Sequence, residues 1–147
     1  MNRPVPPNSV LILIPAYNAA EHVGAVVAGA RKSGLPVLCV DDGSKDKSAE
    51  AAEAAGAVVL RHQANRGKGA ALQLGFAYAL QHGYDAVLTM DADGQHDPAE
   101  LPSLLAAWAE NPGSLVLGVR SFDPTLMPRR SRIGNRISTY FISRFSK

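Results

Sequence analysis

Two carboxylates stand two residues apart in Asp91-Ala92-Asp93, directly after an apolar run that ends at Met90. On an extended backbone, residues i and i+2 turn to the same side, so Asp91 and Asp93 aim at one point while Ala92 turns away. Like charges held that close repel unless a cation neutralises them. Oxygen ligands in a partly open site suit Mg²⁺ or Mn²⁺, completed by diphosphate oxygens and water. Gln95 or His96 could supply a further ligand. Alone, such a pair is better explained by turn and N-cap roles, so its meaning rests on its company.

That company consists of four more polar or glycine-rich clusters. Asp41-Asp42-Gly43-Ser44 holds adjacent acids, of which at most one can face a cleft. The other would bond backbone in the turn or cap the following helix. A cleft-facing carboxylate could accept hydrogen bonds from a nucleobase N–H or a ribose hydroxyl. In Pro15-Ala16-Tyr17-Asn18 the proline fixes a turn and the tyrosine could stack on a base. Gly67-Lys68-Gly69 opens a helix, so free amides and a lysine would meet phosphate. It is not a Walker A loop, for no glycine stands five residues before Gly67 and Ala70 lies near the Ser/Thr place. Arg120, Arg129, Arg130, Arg132 and Arg136 carry guanidinium groups that match phosphate oxygens bidentately.

The elements that must position these residues alternate in kind. Short apolar runs at 10–14, 37–40, 57–60, 86–90 and 115–119 read as strands buried on both faces. Residues 20–32, 47–55, 69–82 and 98–110 read as helices. Asp97, Pro98 and Glu100 form a start signal for the last, and Gly34, Gly56 and Gly83 stand where helices end. This β-α-β-α succession predicts an α/β fold, a mostly parallel sheet with helices on both faces. Ligands of such sheets bind beyond the carboxyl ends of the strands. Each of the five clusters follows a strand, so all five fall on one rim.

Composition bounds the rest. A chain of 147 residues with 46% hydrophobic and 19% charged residues fits one globular α/β domain. The single cysteine, Cys39, lies in an apolar run and reads as a buried structural thiol in a reducing compartment. No apolar stretch reaches the ~18 residues of a membrane span, and residues 1–8 lack the order of a signal peptide. Residues 1–119 carry 8 basic and 12 acidic side chains, net −4; residues 120–147 carry 7 and 1, net +6. The basic end therefore meets something anionic. Ile133, Ile137, Tyr140, Phe141 and Phe145 form an amphipathic stripe there. It would lie on an anionic membrane or pack against protein. No aromatic platform for nucleic acid accompanies the basic residues. His22, His62 and His82 have no ligand spacing and receive no role, and Trp108 reads as core. The divisions expected are a flexible start over 1–8, a core over 9–122 that carries the rim clusters, and a basic loop and amphipathic helix over 123–147.

Together Pro15-Ala16-Tyr17-Asn18, Val40-Asp41-Asp42-Gly43-Ser44, Asn65-Arg66-Gly67-Lys68-Gly69, Asp91-Ala92-Asp93-Gly94-Gln95-His96 and Gly118-Val119-Arg120 make the chain resemble family 2 glycosyltransferases of the GT-A fold. Within these it is similar to the polyprenyl-phosphate (dolichyl-phosphate) mannosyl- and glucosyltransferase branch. The resemblance implies that Asp42, with Pro15, Ala16, Tyr17 and Asn18, contacts the base of a nucleoside-diphosphate sugar. It implies that Asp91, Asp93 and Gln95 bind Mg²⁺ or Mn²⁺ on the donor diphosphate. Lys68 and Ala92 complete the donor site, while Arg120 and an arginine among Arg129, Arg130 and Arg132 hold donor or acceptor phosphate. It further implies inverting transfer from GDP-mannose or UDP-glucose to a polyprenyl phosphate, at the cytoplasmic face of a membrane. Family members continue past the position of Lys147, so donor binding is the firmer expectation and turnover by this chain the open one. Two alternatives stand beside it: transfer to a saccharide hydroxyl, and a non-catalytic nucleotide-binding module.

Overall fold

The first apolar run forms the middle of a sheet. In the computed structural model, which describes residues 9–94, 100–110 and Val116, β1 (Val10–Ala16) is buried along its whole length. It pairs in parallel with β2 (Val37–Asp41) on one side and β4 (Ala86–Thr89) on the other. β3 (Val58–Arg61) pairs in parallel with β2, giving the order β3-β2-β1-β4. All described residues lie in the unit Met1–Val116.

Alternation along β1 and β2 divides the core in two. Ile12, Ile14, Val37 and Cys39 belong to one cluster with Val23, Val27 and Ala30 of α1 (Val23–Arg31) and Ala52 of α2 (Ser48–Ala54). Leu101 of α4 (Leu101–Glu110) joins that same cluster, and Leu105 and Trp108 pack against it half-buried, so Trp108 borders the core rather than filling it. Leu11, Leu13, Leu38 and Val40 face the other way, onto Ala71 and Ala79 of α3 (Lys68–Gln81). Helices thus cover both faces, which is why the strands read as near-continuous apolar runs. α3 lies so close to the sheet that a Cβ on Gly75 would sit 2.3 Å from a Leu13 methyl.

The elements differ from expectation at their ends. β1 runs two residues past Ile14, through a proline in a central strand. Even-numbered β1 residues bond toward β2, as Asp42 N to Ala16 O at 2.8 Å shows, and odd ones toward β4, as Met90 N to Leu13 O at 3.0 Å shows. Pro15 therefore lacks its N–H on the β4 side, beyond the last register pair Leu13–Thr89, and costs the ladder no bond. α1 begins at Val23 rather than residue 20; a turn over 20–22 precedes it, with Ala19 N bonded to Ser48 Oγ (2.8 Å) and Ala20 N to Asp46 Oδ2 (3.1 Å). Gly34, Gly56 and Gly83 follow the helix ends with positive φ. The expected strand over 115–119, the start signal at Asp97 and Pro98, the amphipathic helix and the flexible start lie outside the described residues.

A candidate nucleotide and metal cleft at the sheet's switch point

The chain winds outward from β1 to β3 and then crosses back to place β4 on the other side of β1. The connections after β1 and after β3 thus run in opposite directions across the sheet, and a crevice opens beyond the carboxyl ends of β1 and β4. A cleft of about 460 Å³ lies there, lined by Pro15–Ala19, His22, Asp42, Asn65, Lys68, Ala71 and Asp91–Asp93. It brings together Pro15, Ala16, Tyr17, Asn18, Asp42, Lys68, Asp91, Ala92 and Asp93, drawn from four separate loops. Gln95, Arg120, Arg129, Arg130 and Arg132 lie outside the described residues.

One wall is a stapled pair of loops. Asn18 sits in the left-handed region at φ 48°, a conformation asparagine tolerates better than most residues. Its amide donates to Ser44 Oγ at 2.9 Å, and its Oδ1 accepts from Lys45 N at 2.9 Å. With the Ala19 and Ala20 bonds, three successive amides after β1 are held by the loop after β2 and the first residue of α2. The Tyr17 ring, on the same turn, is left 46% exposed beside the cleft.

The adjacent acids divide their work. Asp41, fully buried, accepts from the Ser44 amide at 3.2 Å and from the Ser44 hydroxyl. Its Oδ2 lies 2.9 Å from Arg61 Nε. That contact is ionic without the alignment of a hydrogen bond, and Oδ2 has no hydrogen-bond partner among the described residues. Asp41 is thus the turn residue of the pair, and Asp42 the one that lines the cleft.

Asp42 is not a free ligand, however. Its Oδ1 accepts from His62 Nδ1 at 2.6 Å and Arg66 N at 3.0 Å, and its Oδ2 accepts from Gly67 N at 2.7 Å. Burial pushes its carboxyl up, but the His62 bond and the two amides outweigh that and hold it below the ordinary carboxylate range. Two expectations change here. The Gly67 amide, expected to meet phosphate, is bonded to Asp42 and to Asn65 Oδ1. His62, given no role from its spacing, has its side chain only 9% exposed and holds Asp42. Pairing Asp41 with Arg61 in parallel register makes His62 the neighbour of Asp42. Aligning the ends of the two runs in the sequence would have shown it.

On the opposite wall, past the end of β4, Ala92 is buried, Asp91 half-buried and Asp93 exposed, with 92 and 93 in a turn rather than on an extended strand. Asp91 is paired with Lys68 Nζ, from the first residue of α3. The donor set fits a hard divalent cation: two carboxylates on one turn at an open cleft, with room for ligand oxygens. Among the described residues no three His, Cys, Asp or Glu side chains converge. Asp91 and Asp93 would therefore hold Mg²⁺ or Mn²⁺ as a partial site, completed by a bound diphosphate and water.

Residues 11–145 match the model of glycosyl transferase family 2. The chain belongs to that family. It is 39% identical over 119 residues to an undecaprenyl-phosphate mannosyltransferase of Micrococcus luteus, covering 76% of this chain and 48% of that protein. It is 33% identical over 123 residues to a polyprenol monophosphomannose synthase of Mycolicibacterium smegmatis, covering 78% of this chain and 46% of that one. The family 2 chain therefore spans about half the length of these relatives. In structure it resembles glucosyl-3-phosphoglycerate synthase from Mycobacterium tuberculosis in complex with Mn²⁺, UDP-glucose and phosphoglyceric acid. The TM-score is 0.61 at 21% identity, over 71% of this chain and 40% of that one. The fold is GT-A. No helix among the described residues is long and apolar enough to cross a membrane.

Proposed function

We propose that this chain is the donor-binding part of a transferase that moves a hexose from a nucleoside-diphosphate sugar to a polyprenyl phosphate. The observation that carries the reading is the switch-point cleft, where a ring, a carboxylate, a lysine and two further carboxylates converge from four loops. Relatives named for polyprenyl-phosphate chemistry support the acceptor class. GDP-mannose and UDP-glucose are the donors in view, since one carboxylate serves guanine and uracil alike.

Each part of the cleft has a task in this reading. Tyr17 and Asp42 receive the base. Asp91 and Asp93 hold Mg²⁺ or Mn²⁺, which when bound neutralises the charge that builds on the departing diphosphate. Lys68, already at Asp91, lies within reach of the same diphosphate and adds a second positive charge there. The acceptor phosphate oxygen forms the new bond to the anomeric carbon as the bond to the diphosphate breaks on the opposite face, which inverts that carbon. A phosphate monoester, with a second pKa near ~6, is already anionic at neutral pH. No protein base is needed to remove a proton. Arg120 and the Arg129, Arg130 and Arg132 group are proposed to hold the acceptor phosphate. The basic stretch over 123–147 is proposed to rest on an anionic membrane at its cytoplasmic face.

The test is thermal unfolding with UDP, GDP, UDP-glucose and GDP-mannose, with and without Mn²⁺. One nucleotide series should raise Tm only with the metal, and both Asp91→Ala and Asp93→Ala should abolish the rise. Unchanged stabilisation in both variants would remove the metal assignment. Transfer of labelled hexose to saccharide alone, and not to a polyprenyl phosphate, would remove the acceptor assignment.

A further inference from the structure

His62 is the one enclosed histidine among the described residues, and the reading above gives it no task. Its backbone amide donates to Asp41 O at 2.9 Å, which continues the β2–β3 ladder by one residue and fixes where the ring begins. Its Nδ1 then lies 2.6 Å from Asp42 Oδ1, with the two side chains 9% and 3% exposed. An ionised carboxylate only accepts, so Nδ1 must be the protonated nitrogen. The tautomer is set by the contact.

The carboxylate itself offers about four lone-pair positions. Three are occupied: two on Oδ1, by His62 and the Arg66 amide, and one on Oδ2, by the Gly67 amide. What Asp42 can still offer at the cleft it lines is a single acceptor on Oδ2. The direction of that acceptor depends on the carboxylate plane. The two amides come from consecutive residues at the far end of the β3–α3 loop, so among the described residues the His62 bond, anchored where that loop leaves the β2–β3 ladder, is the one other restraint on the plane.

We infer that His62 is a positioning residue for base recognition: it locks the plane of the Asp42 carboxylate so that Oδ2 presents one fixed acceptor to a ring N–H of the donor's base. The inference rests on the reading of the cleft as a nucleoside-diphosphate site. It separates base from phosphate, because removing the imidazole leaves the two amide bonds, and with them the start of α3 and Lys68, where they are. A stabilising role alone would weaken every ligand of the cleft together.

The experiment compares UDP, GDP and inorganic pyrophosphate, each with Mn²⁺, by calorimetric titration of this chain and its His62→Ala, His62→Asn and Asp42→Asn variants. The nucleotide that binds the unsubstituted chain should bind His62→Ala about 10- to 100-fold more weakly, the range for a hydrogen bond to a charged group. Pyrophosphate affinity should change less than about twofold. Asparagine, whose Nδ2 can donate from near the place of Nδ1, should restore most of the loss. In an Asp42→Asn background His62→Ala should add almost nothing. Nitrogen NMR of the His62 ring should move with nucleotide and stay still with pyrophosphate. Equal losses of nucleotide and pyrophosphate, or nucleotide binding unchanged in both His62 variants, would overturn the inference alone. Binding of pyrophosphate but of neither nucleotide by the unsubstituted chain would overturn the nucleotide reading and the inference with it. If His62→Ala does not fold, His62→Asn and the ring nitrogen shifts decide by the same criteria.

Discussion

Replacing Gly43 with alanine puts a methyl group where the backbone already is. A Cβ there would lie 2.4 Å from Ala64 C, 2.6 Å from Asn65 N and 2.8 Å from Ala64 Cα, and Gly43 sits at φ +73°. None of these neighbours is the movable end of a side chain, so relief requires the loop carrying Asn65 to shift. Two costs combine: about 1–2 kcal/mol for a non-glycine residue in the left-handed region, and about 1–3 kcal/mol for forcing volume into a packed site. Gly34 supplies the control, with φ +78° and nothing within 4 Å of its would-be Cβ. Gly34→Ala bears the first cost and not the second, and both variants share the same change in unfolded-chain freedom. The difference between them should be about 1–3 kcal/mol, a midpoint gap of about 1 M in urea for a chain of this size. Moving Asn65 also moves the Arg66 and Gly67 amides that Asp42 holds, so Gly43→Ala should weaken nucleotide binding while Gly34→Ala leaves it alone. Equal urea midpoints for the two variants would refute the argument from close approach.

Two further outcomes follow from titratable groups. Burial, with the nearby Asp41 charge adding to it, pushes the Cys39 thiol up to about 12. The folded chain should resist alkylation at pH 8 and react only on unfolding, and its stability should fall as pH rises from about 9 toward about 12, where only the unfolded thiol ionises. Rapid labelling of the folded chain would contradict this. Asp42 is held below its ordinary value of 3.8. The stability it contributes is present above that value and lost as pH falls through its lower folded pKa. Asp42→Asn should flatten the dependence of the urea midpoint on pH below about 4, and an unchanged slope would count against the His62 and amide bonds as its cause.

What was legible in the sequence follows from the range of the forces involved. Strands buried on both faces announce themselves as apolar runs, and parallel order puts whatever follows each run on one rim. The cleft residues could therefore be gathered before any coordinates. The ties on the Ala19 and Ala20 amides could not, because they depend on acceptors on Ser48 and Asp46, 26 to 29 residues away. Asp41 and Asp42 likewise look equivalent along the chain. The Ser44 and Arg61 contacts on one side and His62 with the Arg66 and Gly67 amides on the other tell them apart. His62 has no ligand spacing along the chain; its significance lies in a neighbour across the sheet.

The three amides pinned between the loops after β1 and β2 bear on how a ligand is received. A loop that must be ordered on binding adds an entropic penalty to every association and slows the encounter. Here Asn18, Ala19 and Ala20 are ordered when the sheet forms, by groups that do not belong to any ligand. Tyr17 is thereby offered on a rigid mount. A nucleotide meeting that wall should find it in its binding shape, so that association is limited by diffusion and steering rather than by closure of this loop.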